Sequence, residues 1–304
     1  MTGPLLIALS ADEQFVDGLA ATLAGIVRNT PDTPIRVVIL DSGIQDATWT
    51  ELTTVIGARL PSLELQRIVL RPDQLDCFAP DIRSLNLSNA TYSRLLLPEL
   101  LPDCERILYI DCDVVIDADL RELFSTPLDG AAVGAVLNHN YPFLEENITG
   151  PILTPEQARL PAFNSGVMLL DLAVLRQANL LTPAAGLVRQ LQGRVQSQAI
   201  LNYILINNWK PLHHRWNRQI PLSPTFPSFR DQPGSLWHFI RPIKPWHFAP
   251  ASRRGLVADF HRDLAASGWS SRSPGHLRLS SSIWSDTFKT LRSCARRLRS
   301  HSHA

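Results

Sequence analysis

The sequence contains few cysteines and no long hydrophobic run. The four cysteines among its 304 residues are Cys77, Cys104, Cys112 and Cys294. They follow no disulfide-framework spacing, so we expect reduced thiols. No apolar stretch approaches the roughly 18 residues that a membrane-spanning helix needs, and no basic leader precedes the short apolar segment Leu5–Leu9. These absences predict a cytoplasmic protein.

The chain also lacks an overall excess of charge of either sign, but its charge is unevenly distributed. The formal net charge is +1. Residues 270–304 carry seven lysines and arginines and one acid, so this segment has a net charge of +6 and residues 1–269 have −5. An acidic body with a basic tail predicts that the tail has a binding partner of its own.

Apolar segments alternate with helical patterns in the first part of the chain. Strand-like and helical segments follow one another at Leu5–Leu9, 16–28, Ile35–Leu40, 46–59 and Leu63–Leu70. This alternation predicts βαβ units, a mostly parallel sheet and an α/β fold. Ligands bind such sheets beyond the carboxyl ends of the strands. We therefore expect Asp12 and Asp111, which each follow an apolar strand, to face one crevice.

Two acids interrupt the apolar run that reads ILYIDCDVVI. A buried carboxylate without a partner is costly, so we expect a cation to meet Asp111 and Asp113 in a cleft. In an extended chain residues two apart share a face, so both carboxylates can reach one ion while Cys112 points away. Oxygen ligands suit Mg²⁺ or Mn²⁺. The second pair, Asp117 and Asp119, instead fits a helix start with a capping acid.

The residues around this pair form a longer pattern. From Ser88 to Leu120 the chain reads SNATYSRLLLPELLPDCERILYIDCDVVIDADL, which resembles the signature of the family 8 glycosyltransferases. This family includes bacterial lipopolysaccharide galactosyl- and glucosyltransferases and glycogenin. The matching elements are Thr91-Tyr92-x-Arg94, Leu97-Pro98, Leu101-Pro102, Arg106–Tyr109, Asp111-x-Asp113 and Asp119-Leu120.

Other segments match the same family in the right order, so the resemblance covers about residues 4–250. They are the nucleotide-loop segment Ser10–Phe15, the strand Phe163–Leu170 (FNAGVLL in the family), the helix start Gln196–Asn202 (DQDxLN in the family), Trp216-Asn217, His238-Phe239 and Lys244–Trp246.

The resemblance implies a GT-A fold, which is Rossmann-like with a mixed, mostly parallel central sheet. It implies an enzyme that moves a hexose, galactose or glucose, from a UDP-sugar to a glycan or glycolipid acceptor with retention of configuration. Carried over residue by residue, Asp111, Asp113 and His238 are metal ligands. An imidazole beside two carboxylates favours Mn²⁺ over Mg²⁺, and Mg²⁺ remains the alternative.

The resemblance also implies contacts with the donor. They are Asp12 and Phe15 with the uracil base, Arg94, Arg241 and Lys244 with phosphate or sugar, Asn164 with the donor sugar, and Gln198 near the anomeric carbon. Among these, Arg94, Asn164 and Gln198 are the candidate catalytic residues. Positive groups and the metal would stabilise the charge that grows on the leaving UDP. Residues 138, 139 and 141–162 are expected on the acceptor side.

Two departures from the family pattern leave an alternative open. Ser197 stands where the family usually has an acid, and Arg241 replaces the glycine of its His-x-x-Gly-x-x-Lys motif. A serine supplies no negative charge to an oxocarbenium-like centre, and glycine lets a backbone approach a ligand closely. The alternative is a sugar-nucleotide-binding protein with impaired turnover. A self-glucosylating enzyme of the glycogenin kind is a further reading, for which Tyr141 is the plausible acceptor.

The resemblance ends before the C-terminal tail. We predict a GT-A domain at 1–264, with a nucleotide-binding half at about 1–120 and an acceptor and metal-site half at 121–264. A serine-rich linker, from about 267 to 285, and a basic amphipathic tail make up most of 265–304.

The tail itself has a helical pattern. Apolar residues, with Trp284 and Phe288 among them, recur every three or four positions across 283–299, between arginines and lysines. Such a helix lies naturally at an anionic membrane surface, which predicts peripheral association with the cytoplasmic face of the membrane. A solvated disordered tail and a helix packed on the body are the alternatives. Any basic segment can bind nucleic acid, but nothing else in the chain suits that partner.

Overall fold

The computed structural model describes residues 3–75, 90–148, 150–191, 195–220, 233–240, 244–247 and 255–272. Within these ranges the strands are β1 (Leu5–Ala11), β2 (Ile35–Asp41), β3 (Leu63–Val69), β4 (Arg106–Ile110), β5 (Val114–Ile116), β6 (Val133–Leu137), β7 (Phe163–Asp171), β8 (Trp209–Pro211), β9 (Arg218–Gln219) and β10 (Leu236–His238).

The helices connect these strands. They are α1 (Val16–Asn29), α2 (Asp46–Arg59), α3 (Pro72–Leu75), α4 (Ala90–Ser93), α5 (Leu97–Leu100), α6 (Leu120–Phe124), α7 (Leu144–Asn147), α8 (Pro155–Ala158), α9 (Leu172–Gln177), α10 (Leu181–Gln190), α11 (Ser197–Ile204) and α12 (Leu256–Ser267). Short 3₁₀ helices cover Glu13–Phe15, Arg94–Leu96, His214–Asn217 and Pro245–His247. No helix in the described ranges is both long enough and apolar enough to cross a membrane.

The main sheet has seven strands in the order β3-β2-β1-β4-β7-β6-β8. β1 pairs in parallel with β2 from Leu5 opposite Ile35 to Ala11 opposite Asp41, and also in parallel with β4. β7 runs antiparallel to both of its neighbours, β4 and β6. The predicted α/β fold with a mixed, mostly parallel central sheet is confirmed.

Alternating side chains bury both faces of this sheet. Ile7 and Leu9 of β1 belong to the hydrophobic cluster that also contains residues of α1 and α12. Ala8 and Tyr109 belong to the opposite cluster, which contains residues of α9, α10 and α11. Burial of both faces is the usual arrangement for parallel strands, and it leaves the strand ends as the place for a ligand.

The first strand of the run ILYIDCDVVI ends just before Asp111, as expected, but residues 111–113 form a turn and not the extended chain that we expected to bring both carboxylates to one face. β4 ends at Ile110, and the chain turns through Asp111–Asp113 with the amide of Val114 donating to Asp111 O over 3.3 Å. β5 then joins a second sheet of order β5-β10-β9. Val114 pairs there with His238. This pairing brings the imidazole of His238 next to the turn that contains Asp111 and Asp113.

Asp119 caps α6, as the sequence predicts. Its side chain accepts a hydrogen bond from the amide of Arg121 over 2.9 Å. The second Asp-x-Asp pair therefore helps to start a helix.

The folded body continues past the expected boundary at residue 264. α12 runs to Ser267, and Trp269 is buried in the core. Its indole Nε1 donates to Asp17 Oδ1 at the start of α1 over 2.9 Å, and Ser271 Oγ donates to Asp17 Oδ2 over 2.6 Å. Ser267 and Trp269 are therefore buried, and the exposed residues Ser271 and Arg272 are hydrogen-bonded to Asp17, where we expected the start of a linker. The predicted tail at 283–299 lies outside the described residues.

Candidate active site

A cleft of about 770 Å³ collects the predicted site residues. It lies where β1 and β4 end, as expected for a sheet of this kind. The predicted residues that line it are Asp12, Phe15, Arg94, Asp111, Asp113, Asn164, Gln198, His238 and Lys244. Ser197 lines the same cleft, whereas Arg241 lies outside the described residues.

Three of these side chains converge on one point. His238 Nε2 lies 3.7 Å from Asp111 Oδ2 and 3.2 Å from Asp113 Oδ1, and one ligand atom from each residue lies within 4.8 Å of the others. Asp113 Oδ1 is buried and accepts no hydrogen bond from any described residue. A buried carboxylate oxygen requires a partner. Two carboxylates and an imidazole can hold a divalent metal ion.

The other oxygen of Asp111 is already occupied. Asp111 Oδ1 accepts hydrogen bonds from the hydroxyl of Tyr109 over 2.8 Å and from Nη2 of Arg94 over 2.9 Å. Burial raises the pKa of Tyr109 well above its ordinary value, so its hydroxyl keeps the proton that it donates. Because both donors bind Oδ1, Oδ2 is the oxygen left to face His238.

Arg94 is buried and makes its described contacts with the protein. Its Nη1 donates to Ser165 O over 2.8 Å and to Ser165 Oγ over 3.0 Å, and its Nε donates to Thr91 O over 3.0 Å. The guanidinium also lies 4.6 Å from the ring centroid of Tyr109. These contacts hold the acid Asp111 in place, and a contact of Arg94 with phosphate or sugar stays a prediction.

Lys244 neutralises the second acid. Its Nζ lies 2.5 Å from Asp113 Oδ2 and 2.6 Å from Phe239 O. Burial alone would raise the pKa of Asp113, but the ammonium group of Lys244 and, after it, the neighbouring imidazole of His238 hold that pKa well below its usual range. Asp113 is thus kept ionised, as a metal ligand must be.

The nucleotide loop is held by its own hydrogen bonds. Asp12 Oδ1 accepts from the amide of Gln14 over 3.0 Å and so caps the turn Glu13–Phe15. Phe15 packs edge-on against Trp246, with 5.4 Å between ring centroids. This contact joins the loop after β1 to the segment that carries Lys244. The roles of Asp12 and Phe15 at a uracil base stay predictions.

The amide of Gln198 is fixed at both ends. Its Oε1 accepts from the amide of Ser165 over 3.1 Å, and its Nε2 donates to Asn147 Oδ1 over 3.2 Å. Asn147 also accepts from Asn138 Nδ2 over 3.1 Å, so Gln198 is tied to residues expected on the acceptor side. Ser197, beside it, is buried in the first turn of α11.

Several residues of the site were not singled out from the sequence. Tyr109 could have been found, because it precedes Asp111 by two positions on one strand and so shares its face. Ser165 and Gly166 lie inside a recognised motif, but the motif does not reveal their contacts. Asn217 belongs to the matched pair Trp216-Asn217, and Asn147 to the loop expected on the acceptor side. Their contacts are with residues far away in the chain, and no local pattern indicates those contacts.

Comparisons with known proteins identify the family of this chain. The family model described as glycosyl transferase family 8 matches residues 6–249. General stress protein A of Bacillus subtilis strain 168 is 24% identical over 265 residues, which cover 79% of this chain and 87% of that protein. Lipopolysaccharide 1,2-glucosyltransferase of Escherichia coli K12 is 25% identical over 254 residues, which cover 80% of this chain and 73% of that protein.

A solved structure shows the same fold. The galactosyltransferase LgtC, crystallised with donor and acceptor sugar analogs, superimposes with a TM-score of 0.68 at 24% identity. The match covers 89% of this chain and 98% of LgtC. The central sheet and the cleft therefore belong to a GT-A fold, and the family match over most of the chain settles its membership. The chain belongs to glycosyl transferase family 8.

Proposed function

We propose that this protein transfers galactose or glucose from a UDP-sugar to a glycan or glycolipid acceptor, with retention of configuration and with Mn²⁺. The observation that carries the proposal is the convergence of Asp111 Oδ2, Asp113 Oδ1 and His238 Nε2 in the cleft. Nitrogen beside two carboxylates suits Mn²⁺ better than Mg²⁺. The ion, when bound, supplies positive charge that stabilises the leaving diphosphate.

The chain's own residues would complete the donor site. Asp12 and Phe15 line the cleft and would contact the uracil base. Lys244 would provide its partly buried ammonium group for the diphosphate, with Arg241 as a further cation. Arg94 holds Asp111, and its charge would also act on phosphate or sugar. Groups fixed in advance by hydrogen bonds stabilise developing charge at little reorganisation cost.

Asn164 and Gln198 would act at the sugar. Gln198 offers an amide where a nucleophilic carboxylate would stand in a double-displacement mechanism. The amide argues against covalent catalysis by a carboxylate at this position, so we propose that the acceptor hydroxyl attacks from the face that UDP leaves. The link from Gln198 through Asn147 to Asn138 supports an acceptor site beside the same amide.

The acceptor class is proposed from a relative, and the location from the charge of the tail. The similarity to a lipopolysaccharide glucosyltransferase supports a glycolipid acceptor of lipopolysaccharide biosynthesis. The basic residues of 283–299 would hold a cytoplasmic enzyme at an anionic membrane surface. Sedimentation with phosphatidylglycerol vesicles, compared between the full chain and a chain that ends at Arg272, tests this point. Equal sedimentation of the two proteins would refute the role of the tail.

The alternative is a protein that binds sugar nucleotides with impaired turnover. The replacement of an acid by Ser197, which the structure places in the cleft, favours it. A panel of UDP-sugars with lipopolysaccharide-core acceptors decides between the two. We expect one donor to give product whose new glycosidic bond is α by NMR. Tight UDP binding without transfer to any acceptor of the panel would favour the alternative.

A further inference from the structure

Asn217 is a fully buried residue that does not line the cleft but touches two residues that do. It ends the 3₁₀ helix His214–Asn217, directly before β9. β9 pairs in parallel with β10, and His238 lies opposite Gln219. This register brings the side chain of Asn217 beside His238 on one side and beside Asn164 on the other.

The hydrogen bonds of these residues have a single consistent direction. The amide of Gly166 is a backbone N–H and can only donate, and it points at a side-chain atom of Asn164 over 3.0 Å. That atom must therefore be Oδ1 of Asn164. The amide group of Asn217 contacts the same oxygen over 2.8 Å, so it must do so with its nitrogen. Asn217 then presents Oδ1 on its other side.

This direction fixes the proton of the imidazole. Asn217 Oδ1 lies 3.0 Å from His238 Nδ1. An amide oxygen only accepts, so Nδ1 carries the proton and donates it. In the neutral ring, Nε2 is then left without a proton, and its lone pair faces Asp111 and Asp113. A ligating histidine needs this tautomer.

We infer that Asn217 is a positioning residue that sets two groups of the site at once: the metal-binding tautomer of His238 and the orientation of the Asn164 amide. With Asn164 Oδ1 bound to Asn217 and Gly166, Nδ2 is the end of that amide available to a ligand. A sugar hydroxyl would therefore meet a donor at Asn164. The inference rests on the proposed metal and donor site and adds a residue that acts through others.

The tautomer can be measured without activity. Long-range ¹H–¹⁵N correlation spectra of the labelled metal-free protein, at an alkaline pH where imidazoles are neutral, distinguish protonated from unprotonated ring nitrogens. A His238→Gln variant identifies the signal among the nine histidines. We expect Nδ1 protonated in the unmodified protein, and a shift toward the Nε2-protonated form in Asn217→Leu. An Nε2-protonated His238 in the unmodified protein overturns the inference.

Two substitutions separate the two effects. Asn217→Leu removes both contacts, so we expect Mn²⁺ to bind about 10 to 100-fold more weakly. Asn217→Asp keeps an acceptor for His238 Nδ1 but places an oxygen against Asn164 Oδ1. We expect it to retain Mn²⁺ and UDP affinity while the KM for the UDP-sugar rises, because only the sugar contacts Asn164. An unchanged KM in Asn217→Asp contradicts the role at Asn164.

Asn202 provides the matched control. It is also a buried asparagine with a fully bonded side chain, but its contacts are Phe163 and the backbone of Gln198. Asn202→Leu should lower thermal stability without changing the tautomer or the Mn²⁺ affinity. If both leucine variants weaken Mn²⁺ equally, Asn217 has only a structural role. If Mn²⁺ does not bind the unmodified protein, the proposed metal fails, and the spectra still decide the tautomer.

Discussion

Gly166 lies directly against the imidazole of His238. A Cβ atom on residue 166 would stand 2.0 Å from His238 Cε1, 2.6 Å from its Nδ1 and 2.9 Å from Asp111 Oδ2. Contacts this short force the ring or the carboxylate to move. The absence of a side chain at this position is therefore what allows the imidazole and the two acids to converge.

Substitution of Gly166 by alanine tests this packing. We expect Gly166→Ala to weaken Mn²⁺ binding by about 100-fold. Loss of a residue that only orients a metal ligand lowers metal affinity by up to about this factor, and displacement of the ligand itself should lower it as much. Calorimetric titration measures the affinity. Gly57→Ala is the control, since a Cβ there meets nothing within 4 Å. It lies in α2 and should stabilise the fold by about 0.5–1 kcal/mol. Normal Mn²⁺ affinity in Gly166→Ala would contradict the role of the glycine.

Lys244 offers a second test, because its partly buried ammonium group pairs with Asp113 and would contact the proposed diphosphate. In Lys244→Gln we expect the affinity for UDP with Mn²⁺ to fall about 10 to 100-fold, since hydrogen bonds to charged groups contribute about 1.5–3 kcal/mol. Lys210→Gln removes a lysine from a more exposed pair with Asp129 and should leave UDP affinity unchanged. UDP binding that is equal in both variants would refute the diphosphate contact.

His247 predicts a pH dependence of stability. Burial, together with the charge of Lys244, lowers the pKa of His247 below 6.5, and its Nδ1 accepts the backbone N–H of Lys244 over 3.1 Å. Between the folded pKa and about pH 6.5, His247 is therefore protonated in the unfolded chain but neutral in the folded protein. The stability from this residue is present above about pH 6.5 and is lost as the pH falls through the lower folded pKa.

Urea unfolding at pH 8 and at pH 5.5 measures this effect. We expect the unmodified protein to lose more unfolding free energy on acidification than His247→Asn, in which a neutral amide replaces the imidazole. An equal loss of unfolding free energy in the two proteins would show that His247 is not the titrating group.

Ser197 distinguishes an active enzyme from a binding protein. Under the proposed function the unmodified protein already turns over, and Ser197→Asp should change kcat by less than about tenfold, or 1.4 kcal/mol. An acid in the first turn of α11 is compatible with the helix dipole, so the variant should fold. Transfer that appears only in Ser197→Asp, with unchanged UDP affinity, would instead support the alternative of a binding protein with impaired turnover.

Local patterns were sufficient for the sheet and for three acids of the cleft, Asp12, Asp111 and Asp113. The alternation of strands and helices predicts parallel strands, and parallel strands gather Asp12 and Asp111 at one edge. His238 and Lys244 were placed by resemblance to a family motif, since nothing in their own surroundings indicates a metal or a phosphate. Their positions in the cleft are those that the resemblance implies, and their roles there stay predictions.

Contacts between distant residues account for what the sequence did not reveal. An apolar run looks the same whether it continues in one sheet or crosses to another, so the turn after Ile110 was missed. Trp269 is held by Asp17 over a separation of 252 residues, and a serine-rich segment gives no sign of such a partner. The matched pair Trp216-Asn217 indicates that Asn217 belongs to the family pattern, but its contacts with Asn164 and His238 arise only in the folded chain.

The release of UDP from a UDP-sugar tests the central claim most directly. The measurement compares UDP-galactose and UDP-glucose, with Mn²⁺ or with chelator, in the unmodified protein and in Asp113→Ala, whose fold is checked by circular dichroism. We predict that one donor releases UDP only with the metal, and that Asp113→Ala lowers the rate more than about 100-fold. A rate of UDP release that is the same with chelator as with Mn²⁺, or the same in Asp113→Ala as in the unmodified protein, would contradict a metal-dependent transferase with its active site in this cleft.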